Sequence, residues 1–143
     1  MNADPAAAPQ PAIKQKKNQG ILAPISLGEL IDKITILQIK TQHLQDIPLV
    51  NVTKELEALE DTLNNLQINI DARLIQCLKE VNQKLWKIED DIRGQELRKD
   101  FGETFIQLAR AVYQQNDRRA AIKREINTTY GSAFVEEKAY QQY

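Results

Sequence analysis

The sequence predicts an all-α fold: an elongated antiparallel helical bundle built on a hairpin of its third and fourth helices, behind a disordered N-terminal tail. Three observations lead there. Apolar residues recur at steps of three and four through most of the chain after residue 25. Gly and Pro number only 5 each, and several Pro fall before residue 25, so the remainder lacks the turn residues that a sheet needs. Capping residues stand where the apolar stripes begin.

Residues 1–24 are the tail. They are rich in Ala, Pro, Gln and Lys and have too little apolar surface to offset the entropy of ordering. Lys14, Lys16 and Lys17 make a small basic run within it. Residues 25–143 form one domain, a length that buries a modest core.

Ser26-Leu27-Gly28-Glu29 reads as a capping box and starts the first helix. Leu27, Leu30, Ile31, Ile34, Leu37 and Leu44 share one face of it, while Ile36 and Ile39 fall opposite. A helix apolar on two sides contacts two neighbours, so Ile36 and Ile39 should meet another helix or a second copy of the chain. Pro48 closes this segment. Leu56, Leu59, Leu63, Leu66 and Ile70 form a coiled-coil-like stripe for a second helix over roughly 52–68. Asp71 is a candidate N-cap for a third. Its stripe is Leu74, Leu78, Val81, Leu85, Ile88 and Ile92, and a single bent helix in place of the second and third is the alternative. Asp100-Phe101-Gly102-Glu103 reads as another capping box, for a fourth helix that ends before Gly131. Helices three and four should each run roughly 40 Å and lie antiparallel. A short last helix is expected around Val135 to Tyr140, with Tyr140 and Tyr143 docking on the bundle.

Gln115 and Arg119 break the fourth stripe. Asn82, Trp86, Glu89 and Arg93 form a second line on the third helix, and Ile106, Ala109, Tyr113, Asn116, Ala120 and Lys123 the matching line on the fourth. Counting outward from the turn sets Trp86 against Tyr113, Glu89 against Arg110, and Asn82 against Asn116 or Asp117. Such a cluster is costly unless every member is paired. It either fixes register or leaves donors free for an anionic or sugar-like ligand. Glu55, Glu57, Glu60 and Asp61 read as a solvated helix face.

Several functions are disfavoured. A net charge of −1 gives no field toward nucleic acid, and the aromatic residues do not interleave with the basic ones. There is no phosphate loop, dinucleotide fingerprint or His-Glu-x-x-His, so no cofactor is indicated. One His and one Cys leave no zinc set, and no metal site is expected. Cys77 reads as a small apolar residue and His43 as a surface or helix-end residue. No run approaches the roughly 20 apolar residues of a membrane span. No secretory signal is apparent, so the expected location is cytoplasmic.

Gly-Glu-Leu-Ile-Asp-Lys-Ile-Thr-Ile-Leu at 28–37, Val81-Asn82, Leu-Trp-Lys-Ile-Glu-Asp-Asp-Ile-Arg at 85–93, Asn-Asp-Arg-Arg-Ala at 116–120 and Val-Glu-Glu-Lys at 135–138 with Tyr140 together resemble an uncharacterised bacterial family, a domain of unknown function. The resemblance covers about residues 25–143. It implies an association with glycosyltransferase-like and surface-polysaccharide proteins, and it brings Glu29, Asp32 and Lys33 toward the polar cluster.

The candidate binding residues are thus Glu29, Asp32, Lys33, Asn82, Trp86, Glu89, Arg93, Arg110, Tyr113, Asn116, Asp117 and Arg119. The leading expectation is a non-enzymatic helical interaction or accessory module with a protein partner or a second copy. One rival is a small ligand-binding protein or enzyme. The first helix has a look of the all-helical chorismate mutases, whose dicarboxylate site Lys33, Arg93, Arg110 and Arg119 would have to supply. The other rival is a structural oligomer whose polar cluster sets register.

Overall fold

The computed structural model describes residues 20–143. The tail up to residue 19, with Lys14, Lys16 and Lys17, lies outside the described residues; residues 20–25 are exposed and not helical. Four helices follow: α1 (Leu27–His43), α2 (Asp46–Asn65), α3 (Ala72–Arg98) and α4 (Glu103–Thr129). No strand occurs among the described residues.

The α1 N-terminus shows how local signals and tertiary partners combine. The Ser26 hydroxyl accepts from the Glu29 amide at 3.1 Å, as a cap should. The other free amides of the first turn are met from the far end of the chain. Leu27 N donates to Ser132 Oγ at 3.1 Å, and Gly28 N to Asn127 Oδ1 at 2.7 Å. Gly28 is needed here for space: a Cβ would lie 2.6 Å from the Lys123 carbonyl oxygen. The Glu29 carboxylate does not complete the expected capping box. It turns to Lys123 instead.

Two helices, not one bent rod, occupy residues 46–98, and Asp71 caps α3 by accepting from Arg73 N at 2.8 Å. α2 begins earlier than expected. Pro48 sits in its first turn, where the missing N–H has no intrahelical partner to lose. The α3–α4 turn also differs. Asp100 accepts from Gly102 N at 3.1 Å in a local turn, and Gly102 rather than Asp100 is the N-cap of α4. Lys99 takes the left-handed conformation that ends α3 (φ 55°), and its neighbour closes the turn through Asp100 N to Gln95 O at 3.0 Å. Gly131 ends α4 as expected (φ +63°), with Ser132 N bonded to Asn127 O at 2.8 Å.

α3 and α4 pack as the expected antiparallel hairpin, and α1 touches all three other helices. The backbone of α2 approaches α1 alone. The core is Leu27, Ile31, Leu74, Leu78, Val81, Ile122 and Ile126, with Leu63, Ile70, Leu85 and Tyr130 packed against it. Burying each large aliphatic side chain contributes about 1.5–3 kcal/mol. Ile39 is buried and Ile36 half-buried, so the second apolar face of α1 meets helices of its own chain. All of this lies at one end of the hairpin. Among the described residues, Gln95 is the one buried residue of α3 beyond Asn82, and α4 has none before Ile122.

No helix forms after Gly131. Residues 132–143 run without regular structure back along α4. Glu136 and Glu137 reach Lys123 and Arg124, and the Tyr143 hydroxyl donates to Asp117 at 2.7 Å. The Tyr143 ring meets Tyr113 edge-on with centroids 5.0 Å apart, but Tyr143 and Tyr140 both stay largely exposed, so neither packs into the bundle as expected.

Candidate functional site

Two polar regions share the seam between α1, α3 and α4. The first centres on Lys123, which is 5% exposed. Its ammonium donates to Glu29 at 2.6 Å, pairs with Glu136 at 2.9 Å, and lies 4.0 Å from Asp32. Burial alone would lower its pKa. The hydrogen bonds to Glu29 and Glu136 and the charge of Asp32 outweigh that and hold it above the usual lysine value. Glu136 is held below the usual carboxylate value, chiefly by its hydrogen bond to Lys123. Asp32 is buried and accepts from Asn82 Nδ2 at 2.8 Å. The same amide reaches Thr35 Oγ1 at 2.9 Å, and that hydroxyl donates to the Asp32 carbonyl. Each charge here has a partner, so the cluster locks helices together, and its one buried polar atom without a partner among the described residues is Asn127 Nδ2.

The second region is a cleft of about 540 Å³ one turn of α4 further along. Ile36, Ile39 and Leu85 give it apolar walls. Asn82, Trp86, Glu89, Asp90, Arg93, Asn116 and Arg119 give it its chemistry. Trp86 is half-buried and stacks on His43, the last residue of α1, with centroids 4.7 Å apart. Arg93 pairs with Glu89 at 3.2 Å across one turn of α3. Asn116 donates its amide to the Val112 carbonyl at 2.9 Å. Arg119 is half-buried and makes no ion pair or hydrogen bond among the described residues.

Six of the twelve sequence candidates therefore line the cleft: Asn82, Trp86, Glu89, Arg93, Asn116 and Arg119. Glu29 and Asp32 join the Lys123 cluster. Lys33 does not; it is exposed and points to Glu55 on α2 at 3.9 Å. Arg110, Tyr113 and Asp117 are exposed and lie away from the cleft. The pairings counted from the turn are corrected accordingly. Trp86 meets His43 rather than Tyr113, Glu89 meets Arg93 rather than Arg110, and Asn82 meets Asp32. On a straight helix Arg110 stands about 120° from Asn116, so both cannot face α3. Of the cationic quartet that a dicarboxylate site would need, only Arg93 and Arg119 converge.

Four residues of the cluster are missing from the sequence candidates: Lys123, Thr35, Glu136, and Asn127, which is 1% exposed and holds Gly28. The signal for Lys123 is its place on the second line of α4, next to Ile122 of the apolar stripe and four residues after Arg119. No group of His, Cys, Asp or Glu able to hold a metal ion occurs among the described residues, and no described helix is long and apolar enough to cross a membrane.

Residues 21–143 match a protein family described as a family of unknown function (DUF6165). No curated protein and no solved structure matches the chain.

Proposed function

The chain belongs to a family of unknown function, DUF6165, and we propose that it is a non-enzymatic helical binding module that engages a protein partner through the bare end of its hairpin. The resemblance noted in the sequence extends this to an accessory role beside glycosyltransferase-like proteins in bacterial surface-glycan assembly, on the cytoplasmic side. One observation carries the reading. α1 stops at His43 while α3 and α4 continue, so among the described residues no third helix lies over the hairpin beyond the cleft. Leu97 is 84% exposed there, and Phe101 and Ile106 are about half exposed. Large apolar groups left exposed around one interhelical turn support an interaction surface there. The saturated Lys123 cluster supports a binding role over a catalytic one, because its charges are committed to one another.

The test is affinity capture from the native host with the wild-type chain and with a Leu97→Glu/Phe101→Glu/Ile106→Glu variant. The expected result is recovery of a glycan-assembly protein by the wild type and its loss with the variant, at unchanged helicity. Equal recovery by both chains, or no specific partner, contradicts the proposal.

A further inference from the structure

Independently of any protein partner, we infer that the cleft at the end of α1 binds a small sugar acid, a hexuronate, through Arg119. Four features of the cleft select this class. Arg119 is a half-buried cation with no carboxylate within ion-pair distance among the described residues, although Glu89 and Asp90 line the same cleft. The fork of a guanidinium matches a carboxylate in two-pronged geometry. Arg93 is already paired with Glu89, so Arg119 is the cation of the cleft whose guanidinium is uncommitted, and a monoanion engages it with the least repulsion from Asp90. A phosphate dianion would bring a second charge against the two acids.

The remaining polar groups favour hydroxyls. The Asn82 amide nitrogen is taken by Asp32 and Thr35, and that of Asn116 by the Val112 carbonyl. Both side chains thus offer carbonyl oxygens, and Asp90 adds a carboxylate. These acceptors suit a ligand that brings hydroxyl donors, as a polyol does. The apolar face of a pyranose ring suits the part of Trp86 that His43 leaves uncovered and the side chains of Ile36 and Leu85. The volume of about 540 Å³ lies within the range of small-molecule sites.

Trp86 is the only tryptophan, so its fluorescence and its indole N–H resonance report on the cleft directly. The experiment titrates the full chain with glucuronate, glucose, acetate and inorganic phosphate, following Trp86 and the side-chain amides of Asn82 and Asn116. Glucuronate should give saturable shifts at all three. Glucose lacks the carboxylate and acetate the hydroxyls, and each should bind about tenfold more weakly or less. Arg119→Gln should weaken glucuronate about tenfold, Arg119→Lys should fall between, and Arg110→Gln should leave binding unchanged. No saturable glucuronate shift at any of the three reporters overturns the assignment. So does tighter binding of phosphate, or an Arg119→Gln chain that is helical and binds as the wild type does.

Discussion

Arg119 and Lys123 stand four residues apart on one face of α4, and they live in opposite circumstances. Lys123 is buried among Glu29, Asp32 and Glu136, and Arg119 faces a cleft in which no carboxylate of the described residues lies within ion-pair distance of it. The difference comes from α1. Its N-terminal half lies against Lys123 closely enough that Gly28 has no room for a methyl group, and it brings Glu29 and Asp32 with it. By His43 the helix has ended, and although Glu89 and Asp90 line the same cleft, no acid of the described residues comes within ion-pair distance of Arg119. Burial turns a cation into structure when the fold supplies its partners, and a half-covered cation without them is available to a ligand.

The comparison can be broken from either side, and the largest effect is expected at the buried cation. Lys123→Met leaves Asp32 buried with an amide as its main partner, and should cost about 3–5 kcal/mol in denaturant unfolding. Gly28→Ala should cost about 1–3 kcal/mol, because the new methyl meets backbone at the α1–α4 contact. If that variant is as stable as the wild type, the close approach of the two helices is wrong.

Acid should sharpen the contrast. The pKa of Glu136 is lowered in the folded protein, so its pairing with Lys123 stabilises above the ordinary carboxylate value of 4.5 and is lost as pH falls through the lowered one. Residues 132–143 should then leave α4, seen as new proteolytic cleavage there, and Glu136→Gln should release them at neutral pH. The Lys123 pKa is raised, so on the alkaline side the same contact persists until pH rises through a value above 10.5. The smallest effect belongs to the turn. Lys99→Gly removes a side chain from a left-handed residue and should stabilise by about 0.5–1 kcal/mol. A loss of stability there would mean that Lys99 holds the turn through its contact with Glu96.

What could be read from the sequence follows the range of the forces involved. Ser26, Asp71 and Gly131 act through bonds that span a few residues, and all three end or begin helices where expected. The apolar stripes fix four helices and the hairpin because they repeat. Asp100 resembles a cap for the same local reason, but its carboxylate holds a turn ahead of α4, which starts at Glu103 with Gly102 as its N-cap. The candidate site was legible in half. Trp86, Glu89, Arg93, Asn116 and Arg119 share the cleft, and Asn82 joins cleft to cluster. Tyr113 joins them by steps of three and four along the second line of α4, while Arg110 and Asp117 come from counting outward from the turn, which fixes height along a helix but not the face a side chain takes. His43 could not be assigned to Trp86, because that contact depends on where α1 crosses the hairpin. Glu136 could not be assigned to Lys123, because it sits on a segment with no periodicity to orient it.

The most direct test sets the two cations against each other in one unfolding experiment. Lys123→Met and Arg119→Met should separate: about 3–5 kcal/mol lost for the first, and under about 0.5 kcal/mol for the second. Equal losses would mean that Arg119 is as much a part of the frame as Lys123, and the division between a locked cluster and an open cleft would not hold.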